Sequence, residues 1–299
     1  MNWKQNLTES LQTEFIFDAP MNLYTTYKAG GAAEVLALPK TQEEIENIIA
    51  FASENKITLR ILGLGSNILV SDLGLEGITC CLRKLEGIEV GNGTISAKAG
   101  TALDKVVEAS VNAGFEGMEG LSGIPGSVGG AVYMNAGAFN AETFDCLKHF
   151  TILTEQGEIK TIKKDDVAHA YRSVALPQNC IVLSATWQPK KAQDAAAVAA
   201  KRAEVLVKRA EKQPLDFPSA GSVFKRPEGD YASRLIDVCG LRGFSVGGAM
   251  VSQKHAGFII NYKNATANDI NNLIKEVQKR VLAQTGKMLE LEQILWGKF

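Results

Sequence analysis

The sequence predicts an α+β fold. Apolar runs of strand length and segments of helical period are mixed along the chain without strict alternation, which argues against a doubly wound parallel sheet. A change of composition between residues 192 and 212, to Ala, Lys, Arg and Glu, marks a candidate boundary between a strand-rich first half and a shorter second part. The chain has 299 residues and is 45% hydrophobic, enough for two domains or one large one with an appendage.

In chain order, residues 3–16 read as a short leading helix and Val35 to Leu38 as an apolar strand. Thr41, with Glu44 three residues on, has the spacing of a capping box. Ile45, Ile48, Ile49 and Ala52 then follow a helical period, and Ile57 to Leu62 forms the next strand. That βαβ unit runs straight into Gly63-Leu64-Gly65-Ser66-Asn67. Short strands are predicted at Ile68 to Ser71, Ile78 to Leu82, Ile88 to Val90 and Thr94 to Ala99. A helix starts at Thr101, with Leu103, Val106, Val107 and Val111 on one face. Residues 149–163 pattern as a hairpin around Gln156-Gly157, and Ile181 to Trp187 as a strand. The helix over 192–212 is expected to be exposed and to end at Pro214. Beyond it come a helix through Arg234 to Cys239 stopped by Gly240, a strand at Gly257 to Tyr262, and a helix from about Asn268 to Thr285 with Gly286 at its C-terminal cap. Met288 to Leu295 is read as a closing strand.

Composition excludes several functional classes. Thirty-two Lys and Arg against 33 Asp and Glu leave a net charge of −1, which gives no basis for nucleic acid or an anionic membrane as partner. No apolar run approaches a membrane span, the N-terminus has no unbroken apolar core of a secretory signal, and no obligate protein partner is evident. Cys80, Cys81, Cys146, Cys180 and Cys239 are irregularly spaced, with no CxxC or Cys/His cluster, so no metal site is expected and reduced thiols in a cytoplasmic protein are.

Two glycine-rich segments carry the binding chemistry. Gly63, Gly65, Ser66 and Asn67 follow a strand, where glycine lets backbone N–H groups turn toward an anion. Ile68 breaks GxGxxG and no GK[ST] follows, so the common dinucleotide and P-loop readings fail; a tight turn remains open. The second run, Gly123-Ile124-Pro125-Gly126-Ser127-Val128-Gly129-Gly130, has four glycines in eight residues and suits either a packing turn or a ligand cradle. Two such loops favour an extended pyrophosphate. Tyr171-Arg172 lies in a polar loop, and Arg can fork onto a carboxylate. Ser222 and Lys225 lie in Gly221-Ser222-Val223-Phe224-Lys225, which does not meet the GxSxG elbow. Glu290 and Glu292 alternate with leucines, and period alone does not choose between them. His255 opens an apolar strand, where a structural His is the default.

In their order and spacing these segments resemble the UDP-N-acetylenolpyruvoylglucosamine reductase (MurB) family. The resemblance runs from about Thr25 to Gly297, through Thr25-Thr26-Tyr27-Lys28-Ala29-Gly30-Gly31, Leu62 to Asp72, Gly123 to Ala138, Tyr171-Arg172, Gly221 to Pro227, His255 to Asn261 and Leu289 to Gly297. It implies a two-part FAD-binding region of the vanillyl-alcohol oxidase type over 1–190, split near 85. It also implies a UDP-sugar domain over 191–285, a strand over 286–299 returning to the flavin-binding part, and membership of the shorter subclass. It implies bound FAD, NADPH as co-substrate and UDP-N-acetylglucosamine enolpyruvate as substrate, with flavin N5 delivering hydride to the vinyl carbon. Its motifs place FAD against Gly63, Gly65, Ser66, Asn67, Gly123, Ile124, Gly126, Ser127, Gly129 and Gly130. They make Arg172, Ser222 and Glu292 catalytic, with Ser222 the proton donor, and Tyr171, Lys225 and His255 substrate contacts. The GSVFK-to-Glu292 set separates the chain from a flavin oxidase that shares only the FAD half, and bound flavin would separate it from a non-catalytic nucleotide-binding module. Three positions depart from the family pattern: Ser173 directly after Arg172, Arg226 where Asn is common, and His255 where Gln is common.

Overall fold

The structure is a computed structural model that describes residues 3–299. It divides into two compact units. The first comprises residues up to Ile16, Val35–Leu64 and Gly77–Lys208; the second comprises Phe17–Glu34, Gly65–Glu76 and Arg209–Phe299.

The expected leading helix is shorter than its period suggested. It spans Trp3–Ser10, and Phe15–Pro20 is a strand. The aromatic and β-branched run Phe15-Ile16-Phe17 favours the pleated surface over the helix. A four-stranded sheet has the order Phe15–Pro20, Ala32–Ala37, Leu75–Cys81, Leu59–Leu62. The last two strands run parallel, with Leu59 opposite Ile78 and Leu62 opposite Cys81. Helix Gln42–Glu54 packs Ile45, Ile48, Phe51 and Ala52 into a core with Val35, Ala37, Ile78 and Cys80. Its cap is split between two residues. Thr41 Oγ1 accepts the Glu44 amide, but the Glu44 carboxylate takes the Lys40 amide rather than that of Thr41. All five cysteines are free thiols, and burial pushes those of Cys80 and Cys81 up, away from the reactive thiolate.

A second sheet has five strands in the order Ile159–Lys163, Leu147–Leu153, Ile181–Trp187, Ile95–Lys98, Ile88–Val90. All four pairings are antiparallel. Leu103, Val106, Val107 and Val111 of helix Leu103–Asn112 are buried, as their period requires, and the first three join Phe150 and Trp187 in its core. Thr101 is not the cap of that helix. Its hydroxyl takes the Gly87 amide instead, and Ala102 stands at the cap with no side-chain bond.

Helix Ala195–Lys212 is exposed along most of its length and ends before Pro214, as expected, with Val198, Val205 and Arg209 buried and Arg202 nearly so.

In the second unit, helices Ala232–Val238 and Ala267–Thr285 cover a three-stranded antiparallel sheet of Ser245–Val246, Ala249–Val251 and Ile259–Asn261. Ile270, Leu273, Ile274, Val277 and Val281 form the buried stripe of the long helix. Its N-terminus is capped twice. Thr266 and Asp269 make a reciprocal capping box, and the two oxygens of Asp72 accept the Ala267 and Asn268 amides at 2.8 Å each. A carboxylate there also meets the positive end of the helix dipole. Asp72→Ala is therefore expected to lower unfolding free energy by about 1–2 kcal/mol, read by denaturant titration. The closing strand is also shorter than expected. It is Ile294–Trp296, parallel to Ile68–Val70, while residues 288–293 are held by the side chains and single bridges described below.

Candidate active site

In the first unit the glycine-rich run becomes a tight turn and the short helix Val128–Met134. Most of its amides are bound within the protein. Val128 N–H donates to Thr101 O at 2.8 Å and Gly129 N–H to Ala99 O at 2.9 Å, while Gly126 O accepts the Leu103 amide. Gly130 N–H donates to the capping hydroxyl of Ser127, and Ile124 N–H to Leu121 O. Gly129 packs so closely that an added Cβ would stand 3.0 Å from Ala99 Cβ. The packing reading of these glycines is therefore physically real, and it presents the amides of Gly126 and Ser127 with no protein acceptor among the described residues.

The entry to this run is clamped by residues that no sequence motif singled out. Gly123 N–H donates to Asp104 Oδ1 at 2.7 Å. Arg202 forks onto the same carboxylate, Nη1 to Oδ1 at 2.7 Å and Nη2 to Oδ2 at 3.1 Å. Asp104 and Arg202 are 98 positions apart, so helical period could not pair them.

Gly63 leaves room for Ser127, whose Oγ a Cβ at 63 would overlap. Within the second unit, Gly65 has φ +69°, and a Cβ there would meet Tyr24 O and stand 2.8 Å from Thr25 Cα. Gly65 O accepts from both the amide and the hydroxyl of Thr26, at 3.1 and 3.3 Å. The amides of Gly65, Ser66 and Asn67 and the Ser66 hydroxyl have no protein acceptor among the described residues. Consecutive amides left without a protein acceptor, in a turn that only glycine can enter, form an anion cradle, and this donor set fits the pyrophosphate of the FAD that the resemblance implies. Gly65→Ala is expected to purify with at least about tenfold less flavin per protein, the loss that about 1.4 kcal/mol of binding would produce. The absorbance ratio at flavin and protein wavelengths reads it.

Arg172 lies in a two-residue turn joining the short strands His169–Ala170 and Ser173–Val174. No pattern in the sequence marks this hairpin; Ala170 pairs directly with Ser173. Arg172 has φ +54°, a left-handed conformation that costs a non-glycine residue about 1–3 kcal/mol. Its guanidinium donates to Asn135 O at 3.3 Å and Gly137 O at 2.7 Å and stacks 4.8 Å from the centre of the half-exposed Tyr171 ring. Asn135, fully buried and left-handed at φ 43°, ends helix Val128–Met134 and donates to Ala170 O and Glu142 Oε2. The continuation of the glycine run and the arginine turn are thus one hydrogen-bonded assembly.

The second unit brings Ser222, Lys225, Glu290 and Glu292 onto adjoining segments. Val223 N–H donates to Gly257 O, Glu292 N–H to Val223 O at 2.9 Å, and Lys225 N–H to Glu290 O at 2.9 Å. Ser222 is exposed, and its hydroxyl has no hydrogen-bond partner among the described residues, while Val223 beside it is fully buried. The two carboxylates that sequence period left equivalent are distinguished here. Glu290 is exposed and pairs with Lys225, whereas Glu292 is half-buried with its Oε2 out of solvent. Asn67 holds the same segment, its Nδ2 donating to Glu292 O at 3.2 Å and its O accepting the Ile294 amide at 2.9 Å.

His255 is bound into the fold through one ring nitrogen. Its Nδ1 accepts the Gly257 amide at 3.1 Å and its ring packs edge-on against Phe258. Burial, followed by the charge of Arg242, lowers its pKa, so the imidazole is neutral at pH 7.

Family models match most of the chain. That for the C-terminal domain of UDP-N-acetylenolpyruvoylglucosamine reductase matches residues 213–296, and one for an FAD-binding domain matches residues 33–163. The UDP-N-acetylenolpyruvoylglucosamine reductase of Listeria monocytogenes is 43% identical over 295 residues, covering 97% of this chain and 99% of that one. The reductase of Pediococcus pentosaceus is 42% identical over 280 residues, 93% of each chain. The crystal structure of the Thermus caldophilus reductase (MurB) aligns with a TM-score of 0.82 at 33% identity, over 96% of this chain and 100% of that one.

Proposed function

The chain belongs to the UDP-N-acetylenolpyruvoylglucosamine reductase family, and from that premise we propose how its own residues carry the reaction. It is an FAD-dependent oxidoreductase that reduces the enolpyruvyl group of UDP-N-acetylglucosamine enolpyruvate to UDP-N-acetylmuramate, with NADPH as co-substrate, in peptidoglycan precursor synthesis. Among the described residues no helix is long and apolar enough to cross a membrane. Use of a nucleotide sugar and NADPH supports a cytoplasmic setting.

FAD, when bound, supplies the hydride chemistry that links NADPH to the vinyl carbon distal to the substrate carboxylate. The rest falls to the chain. Gly65, Ser66 and Asn67, with Gly126 and Ser127, offer amides to the pyrophosphate. Gly63, Gly123, Ile124, Gly129 and Gly130 shape the backbone behind them. Negative charge grows on the substrate's carboxylate-bearing fragment as hydride arrives. Arg172, anchored on two carbonyls, opposes that charge where it develops and needs no reorientation to do so. Ser222 gives a proton to the carbon next to the carboxylate. Glu292 shares the task of holding the enolate-like fragment, in its protonated form or by bridging to it. Lys225 takes a phosphate or carboxylate oxygen of the substrate in exchange for Glu290, Tyr171 lines the approach, and His255 contributes through its remaining ring nitrogen.

The observation that carries this reading is the second-unit arrangement: an exposed serine hydroxyl with no partner among the described residues, one residue from a backbone bond to Glu292. Anaerobic stopped-flow absorbance tests it. NADPH is expected to bleach the bound flavin, and the enolpyruvyl UDP-sugar to restore its colour without oxygen. Recovery only on admitting oxygen would make the protein an oxidase and sink the proposal.

A further inference from the structure

Between Glu292 and the closing strand lies a side chain that the reaction as described does not use. Gln293 is 4% exposed, and all of its amide is engaged. Its Nε2 donates to Ala220 O at 2.9 Å and reaches Gly221 O at 3.5 Å, the two carbonyls immediately before Ser222. Its Oε1 accepts from the hydroxyl of Tyr27 at 3.0 Å. Tyr27 is fully buried, its own carbonyl accepts from Asn261 Nδ2 at 3.0 Å, and its neighbour Thr26 is tied to Gly65 O. Burial pushes the Tyr27 phenol pKa well up, so it stays a donor through the working pH range.

A buried glutamine is costly unless every polar atom is paired, and here the partners also select what it holds. The Ala220–Gly221 segment delivers Ser222, and Gln293 directly follows Glu292. We propose that Gln293, oriented by Tyr27, is a positioning residue that fixes the Ser222 hydroxyl in register with Glu292 for protonation of the substrate carbon. This rests on the roles given above to Ser222 and Glu292. It makes the Tyr27 phenol the orienting donor for the proton-transfer apparatus without touching substrate.

The test uses the FAD-loaded protein and follows the two half-reactions separately, well below each variant's unfolding temperature. Gln293→Met keeps the length of the side chain and removes the amide. It is expected to slow reoxidation by saturating enolpyruvyl sugar about tenfold, in line with the sensitivity of rates to small misplacements, while reduction by NADPH stays within about twofold. Tyr27→Phe, the milder change, is expected to slow reoxidation about threefold, and to add nothing in the Gln293→Met background. Gln293→Met is also expected to add nothing in a Ser222→Ala background. In flavin-free protein, urea midpoints of the two single variants and the double variant should be non-additive, which reports the Tyr27–Gln293 bond apart from activity. If Ser222→Ala slows reoxidation but Gln293→Met and Tyr27→Phe do not, the positioning role is overturned and the Ser222 reading stands. If Ser222→Ala itself has no effect, the reading beneath fails instead. Equal slowing of both half-reactions, or additive midpoints, also overturns the inference.

Discussion

Replacing Ser222 by alanine is expected to slow reoxidation of the NADPH-reduced protein by the enolpyruvyl sugar about 10²–10⁴-fold, the range that one positioned proton donor contributes. Reduction of the flavin by NADPH should stay within about twofold, because that half-reaction transfers hydride and calls on no serine proton. The asymmetry is the informative quantity. Ser222 is exposed beside the fully buried Val223, so removing one oxygen leaves the packing intact and no buried acceptor stranded. A general loss of stability would therefore have no evident cause, and the unfolding midpoint should not move. Rapid-mixing absorbance under nitrogen resolves the two steps. Equal losses in both would remove Ser222 from the proton-transfer step and return it to the role of a turn residue.

Arg172→Lys is expected to lower kcat about 10²–10³-fold, comparable to removing one pre-oriented donor from a developing oxyanion. Charge is preserved in this variant, so the loss measures geometry. The guanidinium presents five donors in a planar fork, and its bonds to Asn135 O and Gly137 O help fix its plane. An ammonium that keeps those carbonyls is drawn away from the substrate, and one that turns to the substrate leaves them unmatched. The left-handed turn does not confound the comparison, because lysine pays the same backbone cost at φ +54°. Steady-state kinetics with saturating NADPH and sugar measure the effect. A lysine variant within about threefold of the parent would show that positive charge alone suffices and that the carbonyl anchors do not act in the reaction.

Much of the fold was legible in the sequence, for local reasons. The stripe Ile270, Leu273, Ile274, Val277, Val281 is buried as its period demands, Gly286 closes that helix at φ +70°, and Ile181–Trp187 is a strand over the expected residues. These features depend on neighbours within a few positions. The leading helix and the closing strand came out shorter because their ends are decided by partners far along the chain. Glu14 O accepts the Leu38 amide, and Leu291 bridges to Phe224. The Arg172 hairpin was missed because two strands of two residues leave no periodic trace.

The candidate site divides in the same way. The sequence by itself determined which residue types stand at which spacing: two glycine-rich turns, one arginine after a tyrosine, a serine and lysine three apart, and alternating carboxylates. Those follow from side-chain chemistry and from the steric allowance of glycine. Only the tertiary structure decided how they differ in use. It bound most amides of the Gly123–Gly130 run within the protein and left those of Gly65, Ser66 and Asn67 without a protein acceptor among the described residues. It separated Glu292 from Glu290 by burial and by the Lys225 ion pair. It also recruited Asp104, Arg202, Tyr27 and Gln293, whose partners are 19 to 266 positions away. The physical reason is that a hydrogen bond in the interior depends on distance and direction in space, and separation along the chain carries no information about either.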